Sequence, residues 1–260
     1  MHIANPIYDV VFRFMMEDKK VAKLFLSAVM GEKVVELDFL PQELTIRIPE
    51  DKIKKQEGEK EKEEDQDENL HLTVCSFDFF AKIELANGKG FKTAIIELQK
   101  AHWETDIMRF RRDIDYHYQI LQDTYGENDE TVLQIYCIFI LSHGINIPNV
   151  PVVEVYPVIK DHTLNKQVEG KNELLNSPPH RSWIIQINQL KNHCRDELEQ
   201  LLNIFVQENR TQNHHILNVK EEDFPKEYRS IINRLRMAGE SEQIQAEMEL
   251  EDDIIKERHS

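Results

Sequence analysis

Two long β-rich runs meet at Asn87-Gly88, and this meeting constrains the fold of the 260-residue chain more than any other feature. The first run is LHLTVCSFDFFAKIEL and the second is FKTAIIELQ. Asn-Gly between such runs is the strongest short hairpin signal, because both residues tolerate the positive φ that a tight turn requires. The turn also sets the register. A two-residue loop pairs Ala86 with Lys89 and puts Asp78 directly opposite Glu97. A four-residue loop, Asn87 to Gly90, puts Asp78 opposite Gln99 instead. Both keep Asp78, Glu97 and Gln99 on one face, because side chains alternate along a strand; a three-residue loop would not.

Those three residues carry the chemistry. Asp78 stands in the apolar stretch Ser76-Phe77-Asp78-Phe79-Phe80, and Glu97 in Ala94-Ile95-Ile96-Glu97-Leu98-Gln99. A carboxylate among such neighbours is costly to desolvate unless it is paired or binds a metal. Like charges facing each other across a sheet repel. A divalent cation with oxygen ligands, Mg²⁺ or Mn²⁺, relieves both costs and can activate water on a phosphodiester. Gln99 can hydrogen-bond a water or a phosphate oxygen but cannot act as a base. The following stretch, WETDIMRFRRDIDYHYQILQDTY, reads as a helix over 102–124. Arg109, Arg112 and Tyr116 share one of its faces at spacings of three and four, where they could contact phosphate. The plainer alternative is pairing with Asp106, Asp113 and Asp115 on a solvated helix.

Other segments frame this centre. Residues 6–30 read as helix, with Asn5 and Pro6 at the start and Gly31 at the stop. The polar patch Glu17-Asp18-Lys19-Lys20 can divide it in two, Asp18 capping the second half. Strands are expected at Val34–Phe39, Leu44–Ile48, Val132–Leu141 and Val152–Ile159. Residues 50–68 are almost wholly charged and are expected to be a solvated insertion. Residues 161–182 read as loop and 184–208 as helix. Pro225 opens a further helix, punctuated by Gly239. From Glu240 onward the tail reads as a charged helix, either solvated or a contact for a partner or a homo-oligomer. The organisation expected is a core over 1–160 and a mainly helical extension over 161–260, packed on the same domain.

Composition narrows the function classes. Thirty-two basic against 48 acidic residues leave a formal net charge of -16, which argues against passive adhesion to nucleic acid or to anionic membrane. Cys75, Cys137 and Cys194 are too few and too scattered for a disulfide framework or a zinc ribbon. Cys75 and Cys137 read as core thiols. His214-His215 reads as a solvated pair, since no further ligand is near in sequence. No leader peptide or membrane span is legible, so a cytoplasmic protein without membrane attachment is expected.

With these residues in hand, the chain resembles the PD-(D/E)XK nuclease superfamily, and within it the recombination-promoting nucleases known as PD-(D/E)XK nuclease family transposases. The stretches that carry the resemblance are NPIYDVVFRFMMED, LPQE, and FDFFAKI followed by KTAIIELQKA and TDIMRFRRDIDYHY. They cover residues 4–125 well and the remainder loosely. The resemblance implies an α/β (α+β) fold: a mixed central β-sheet flanked by helices, with a restriction-endonuclease-like core. It implies Asp78 and Glu97 as metal ligands and a Mg²⁺- or Mn²⁺-dependent hydrolase that cuts DNA in recombination or mobile-element biology. Gln99 stands where the superfamily's signature lysine would be. Lys100 is adjacent but on the other face by alternation; Arg112 and Lys82 are the cations that could stand in for the signature lysine. Asp9 matches an acidic position of the N-terminal motif, as an accessory to the metal or in a local pair. The absent lysine, the acidic insertion and the net charge motivate the alternative, a catalytically inactive interaction protein on a nuclease-like fold.

Overall fold

The computed structural model describes residues 1–40, 75–86, 88–101, 134–145, 147–155, 160–161, 166–167, 181–191 and 193–258. The expected strand Leu44–Ile48, the charged insertion 50–68 and the helix 102–124 with Arg109, Arg112 and Tyr116 lie outside these residues.

The described chain runs β1 (His2–Ala4), α1 (Asp9–Met16), α2 (Lys19–Met30), β2 (Val34–Phe39), β3 (Cys75–Glu84), β4 (Phe91–Ala101) and β5 (Gln134–Leu141). Then follow β6 (Val152–Val155), β7 (Lys160–Asp161), β8 (Lys166–Gln167), β9 (Arg181–Gln186), α3 (Glu197–Leu202), β10 (Ile216–Asn218), α4 (Arg229–Glu240) and α5 (Glu242–Arg258). The fold is therefore mixed α/β. Its main sheet has the order β2-β3-β4-β5-β9-β6. The pairs β2–β3, β3–β4 and β9–β6 are antiparallel, while β4–β5 and β5–β9 are parallel. Among the described residues no helix is long and apolar enough to cross a membrane.

The N-terminal helix divides at the polar patch. Asp18 accepts hydrogen bonds from Lys20 N at 2.9 Å and Val21 N at 3.2 Å, and so caps α2. Gly31 ends α2 at φ 65°, which glycine adopts without steric cost. The expected start at Pro6 gives way to Tyr8, because Asn5 closes a turn instead, its Oδ1 accepting from Ile7 N at 3.2 Å and its O from Tyr8 N at 3.2 Å. Asn5 follows β1, whose pairing with β10 from the far end of the chain no local signal announced.

The expected helix over 184–208 is corrected. Residues 181–186 form β9, and α3 is confined to Glu197–Leu202. Trp183-Ile184-Ile185 is a run without polar alternation. Such a run suits a parallel strand covered on both faces as well as it suits a helix, and periodicity cannot separate the two. Elements on both sides of residue 160 thus share one sheet, since β9 lies between β5 and β6. The extension is also not all helical, as β9 and β10 belong to it.

The sheet has two unequal apolar layers. On one face Phe79, Ala81, Ile96, Leu98, Ile138 and Ile185 join α1, α2 and α4 in the large core. Phe12, Phe25 and Phe205 meet there pairwise, with ring centroids 6.2 to 6.4 Å apart. Each fully buried ring stabilises the fold by about 1.5–3 kcal/mol. On the other face Leu40, Ile95, Ile135, Cys137, Phe139 and Leu141 form a smaller cluster. Helix α5 is not a solvated tail, for Ile244 and Met248 are buried in the large core.

Candidate functional site

The hairpin supplies the first elements of the site. β3 and β4 pair with Asp78 opposite Glu97, and Ser76 opposite Gln99. This is the register expected from a two-residue loop, although the connection is longer. Leu85 N donates to Gly90 O at 3.0 Å, and Gly88 N donates to Leu85 O at 2.8 Å. Gly88 holds φ 66° within this turn. An even number of inserted residues preserves the faces, so Asp78, Glu97 and Gln99 share one. For Asp78 the backbone position is described and the side chain is not.

Glu97 and Gln99 face the smaller apolar cluster and are deeply buried, at 3% and 1% exposure. Glu97 is paired in register with Cys137 of β5, whose Sγ lies 4.0 Å from Glu97 Oε2. Among the described residues, the buried Gln99 Oε1 has no hydrogen-bond partner. Gln186, on the same face two strands away, shows what a structural glutamine looks like here. Its Oε1 accepts from Ile145 N at 2.8 Å, and its Nε2 donates to Ile147 O at 3.0 Å and Val150 O at 2.7 Å. A buried acceptor left open costs about 1–3 kcal/mol, which calls for an explanation. The donor set on this face, carboxylate and amide oxygens, fits a hard divalent cation such as Mg²⁺ or Mn²⁺, and the open Oε1 is a place for a cation-bound water.

Alternation sends Lys100 to the opposite face, as expected. There it is buried, donates to Ile7 O at 2.5 Å and forms an ion pair with Asp9. Asp9 is therefore not brought to Glu97 and Gln99; it sits at the start of α1, on the far side of the sheet. Glu251 of α5 joins it, accepting from Asp9 N at 2.9 Å. Burial, aided by the Asp9 carboxylate, pushes the Glu251 carboxyl up to about 7 against the pull of Lys100. Lys82 is on the Asp78 face, four residues along, about 13 Å away. It pairs with Glu36 at 3.4 Å and lies over the Phe91 ring at 5.1 Å.

The sequence reading missed a second polar cluster. His214 Nε2 and His215 Nε2 both lie on Asp252 Oδ2, at 2.6 and 2.8 Å. Tyr8 donates its hydroxyl to Asp252 Oδ1 at 2.9 Å. Burial pushes the Asp252 carboxyl up, but these hydrogen bonds outweigh it and hold the group below its ordinary range. The adjacent histidines were visible in sequence; the aspartate is more than thirty residues away, on helix α5.

No protein-family model, curated protein or solved structure matches this chain.

Proposed function

We propose that the chain is a divalent-metal-dependent endonuclease that hydrolyses phosphodiester bonds in DNA, in recombination or mobile-element biology, on a restriction-endonuclease-like core. The observation that carries this reading is the register of β3 on β4. It sets Asp78 opposite Glu97, with Gln99 on the same face, its buried Oε1 bonded by none of the described residues. Asp78 and Glu97 are the residues that would hold Mg²⁺ or Mn²⁺, which supplies water activation and stabilises charge developing on the phosphodiester. Gln99 accepts a hydrogen bond from the attacking water through Oε1 and holds it in line, without taking its proton. Lys100 takes no part, being engaged with Asp9. Arg109, Arg112 and Tyr116 are assigned to phosphate contacts.

The test is cleavage of supercoiled and linear DNA with Mg²⁺, Mn²⁺ or a chelator, beside Asp78→Ala and Glu97→Gln. Metal-dependent nicking that both substitutions abolish is the expected result. Equal cleavage by wild type and both variants would overturn the reading. One observation favours a second one: the net charge of -16 opposes binding to a polyanion. On that reading the chain is a catalytically inactive nuclease-fold interaction protein. It predicts no cleavage and no Mn²⁺ uptake dependent on Glu97.

A further inference from the structure

We propose that His214, His215 and Asp252 form a binding site for a zinc-like divalent transition-metal ion, which fastens α5 to the turn before β10. The site is separate from the nuclease reading and does not depend on it. Three ligand atoms, two imidazole nitrogens and one carboxylate oxygen, lie within 4.8 Å of one another. Two nitrogens and an oxygen are the ligand types that Zn²⁺ and its neighbours prefer, whereas Mg²⁺ takes oxygen and water. Around a tetrahedral Zn²⁺, with bonds of about 2.0–2.2 Å, such atoms stand about 3.4 Å apart. The present separations of 2.6 and 2.8 Å to Asp252 Oδ2 are hydrogen-bond lengths. Opening them to the coordination spacing needs a movement of less than about 1 Å.

The chain holds these ligands in advance. Successive residues of extended chain point to opposite sides, so two adjacent histidines converge only when a turn directs them. Here Asn213 Oδ1 accepts from His215 N at 3.0 Å, and Asn213 O accepts from Ile216 N at 3.0 Å. Buried Asn5, just after β1, clamps the turn: its N donates to His215 O at 2.8 Å and its Nδ2 to His214 O at 3.1 Å. The Tyr8 hydroxyl bonds the other oxygen of Asp252, the kind of outer contact that orients a metal-ligating carboxylate. A cavity of about 160 Å³ opens beside His214, lined also by Tyr8, Gln207, Arg210 and Glu251. Three protein ligands leave the fourth position to water, the arrangement of an open rather than a closed metal site.

The experiment titrates the chelator-treated full chain with ZnCl₂ in excess MgCl₂, by calorimetry and by thermal melting. Saturable uptake of one equivalent, with a raised melting temperature, is expected. Co²⁺ in place of Zn²⁺ should give the visible absorption of a four-coordinate ion. The His214 side chain is 55% exposed, so His214→Gln keeps the fold and is expected to weaken uptake at least about tenfold. Asp252→Asn should do the same, and Tyr8→Phe should weaken it about tenfold. Glu97→Gln should leave Zn²⁺ uptake unchanged, which separates this site from the nuclease reading. Absence of saturable uptake by the wild type would overturn the proposal. Uptake undiminished in His214→Gln would do so as well, even if Asp252→Asn failed to fold.

Discussion

The two faces of β4 treat buried polar groups in opposite ways. On one, Lys100 is engaged by α1: it has Ile7 O and Asp9 as partners, with Glu251 bonded to the backbone beside it. On the other, Gln99 keeps a buried oxygen that none of the described residues bonds, next to a carboxylate in an apolar layer. A polar group buried for stability is satisfied, because an open one costs free energy at every moment the chain is folded. A group buried for a ligand is left open until the ligand arrives. The contrast with Gln186, bonded at both ends of its amide, makes the point within one sheet face.

Substitutions can break this comparison. The largest effect is expected at Lys100→Met. It removes a buried cation from Asp9 and Glu251 and should cost about 3–5 kcal/mol in urea denaturation. DNA cleavage per folded molecule should not change. Glu97→Gln should do the reverse, with cleavage down on the order of 10²–10³-fold and stability within about 1 kcal/mol of wild type. If both substitutions cost the same stability, the faces are equivalent and the distinction fails.

The two glutamines sharpen it further. Gln186→Met strands Ile145 N, Ile147 O and Val150 O and is expected to cost about 1–3 kcal/mol. Gln99→Met removes an acceptor that no described residue satisfies and should raise the urea midpoint while slowing cleavage, the trade-off expected of a site residue. A fall in stability of similar size in both would make Gln99 a structural glutamine. The smallest effect belongs to Tyr8→Phe. It should cost about 1 kcal/mol by the same measurement, since His214 and His215 still engage Asp252.

Much of the hairpin was legible because its determinants are local. Turn residues and side-chain alternation together set which residues face each other, and an even loop preserved the answer when its length proved different. The division of α1 from α2 at Asp18, and the stop at Gly31, were legible for the same reason, since caps act within one turn of the chain. β9 was not, because a strand buried on both faces carries no alternation to read.

By itself the amino-acid sequence determined the elements near each signal and the common face of Asp78, Glu97 and Gln99. Those follow from backbone geometry over a few residues. Only the tertiary structure decided that Asp9 belongs to Lys100 and Glu251, and that β10 closes on β1. It also decided that Asp252 completes the pair His214-His215. Each of those joins residues from distant elements, and what selects such partners is packing across the whole chain, which no spacing along it records.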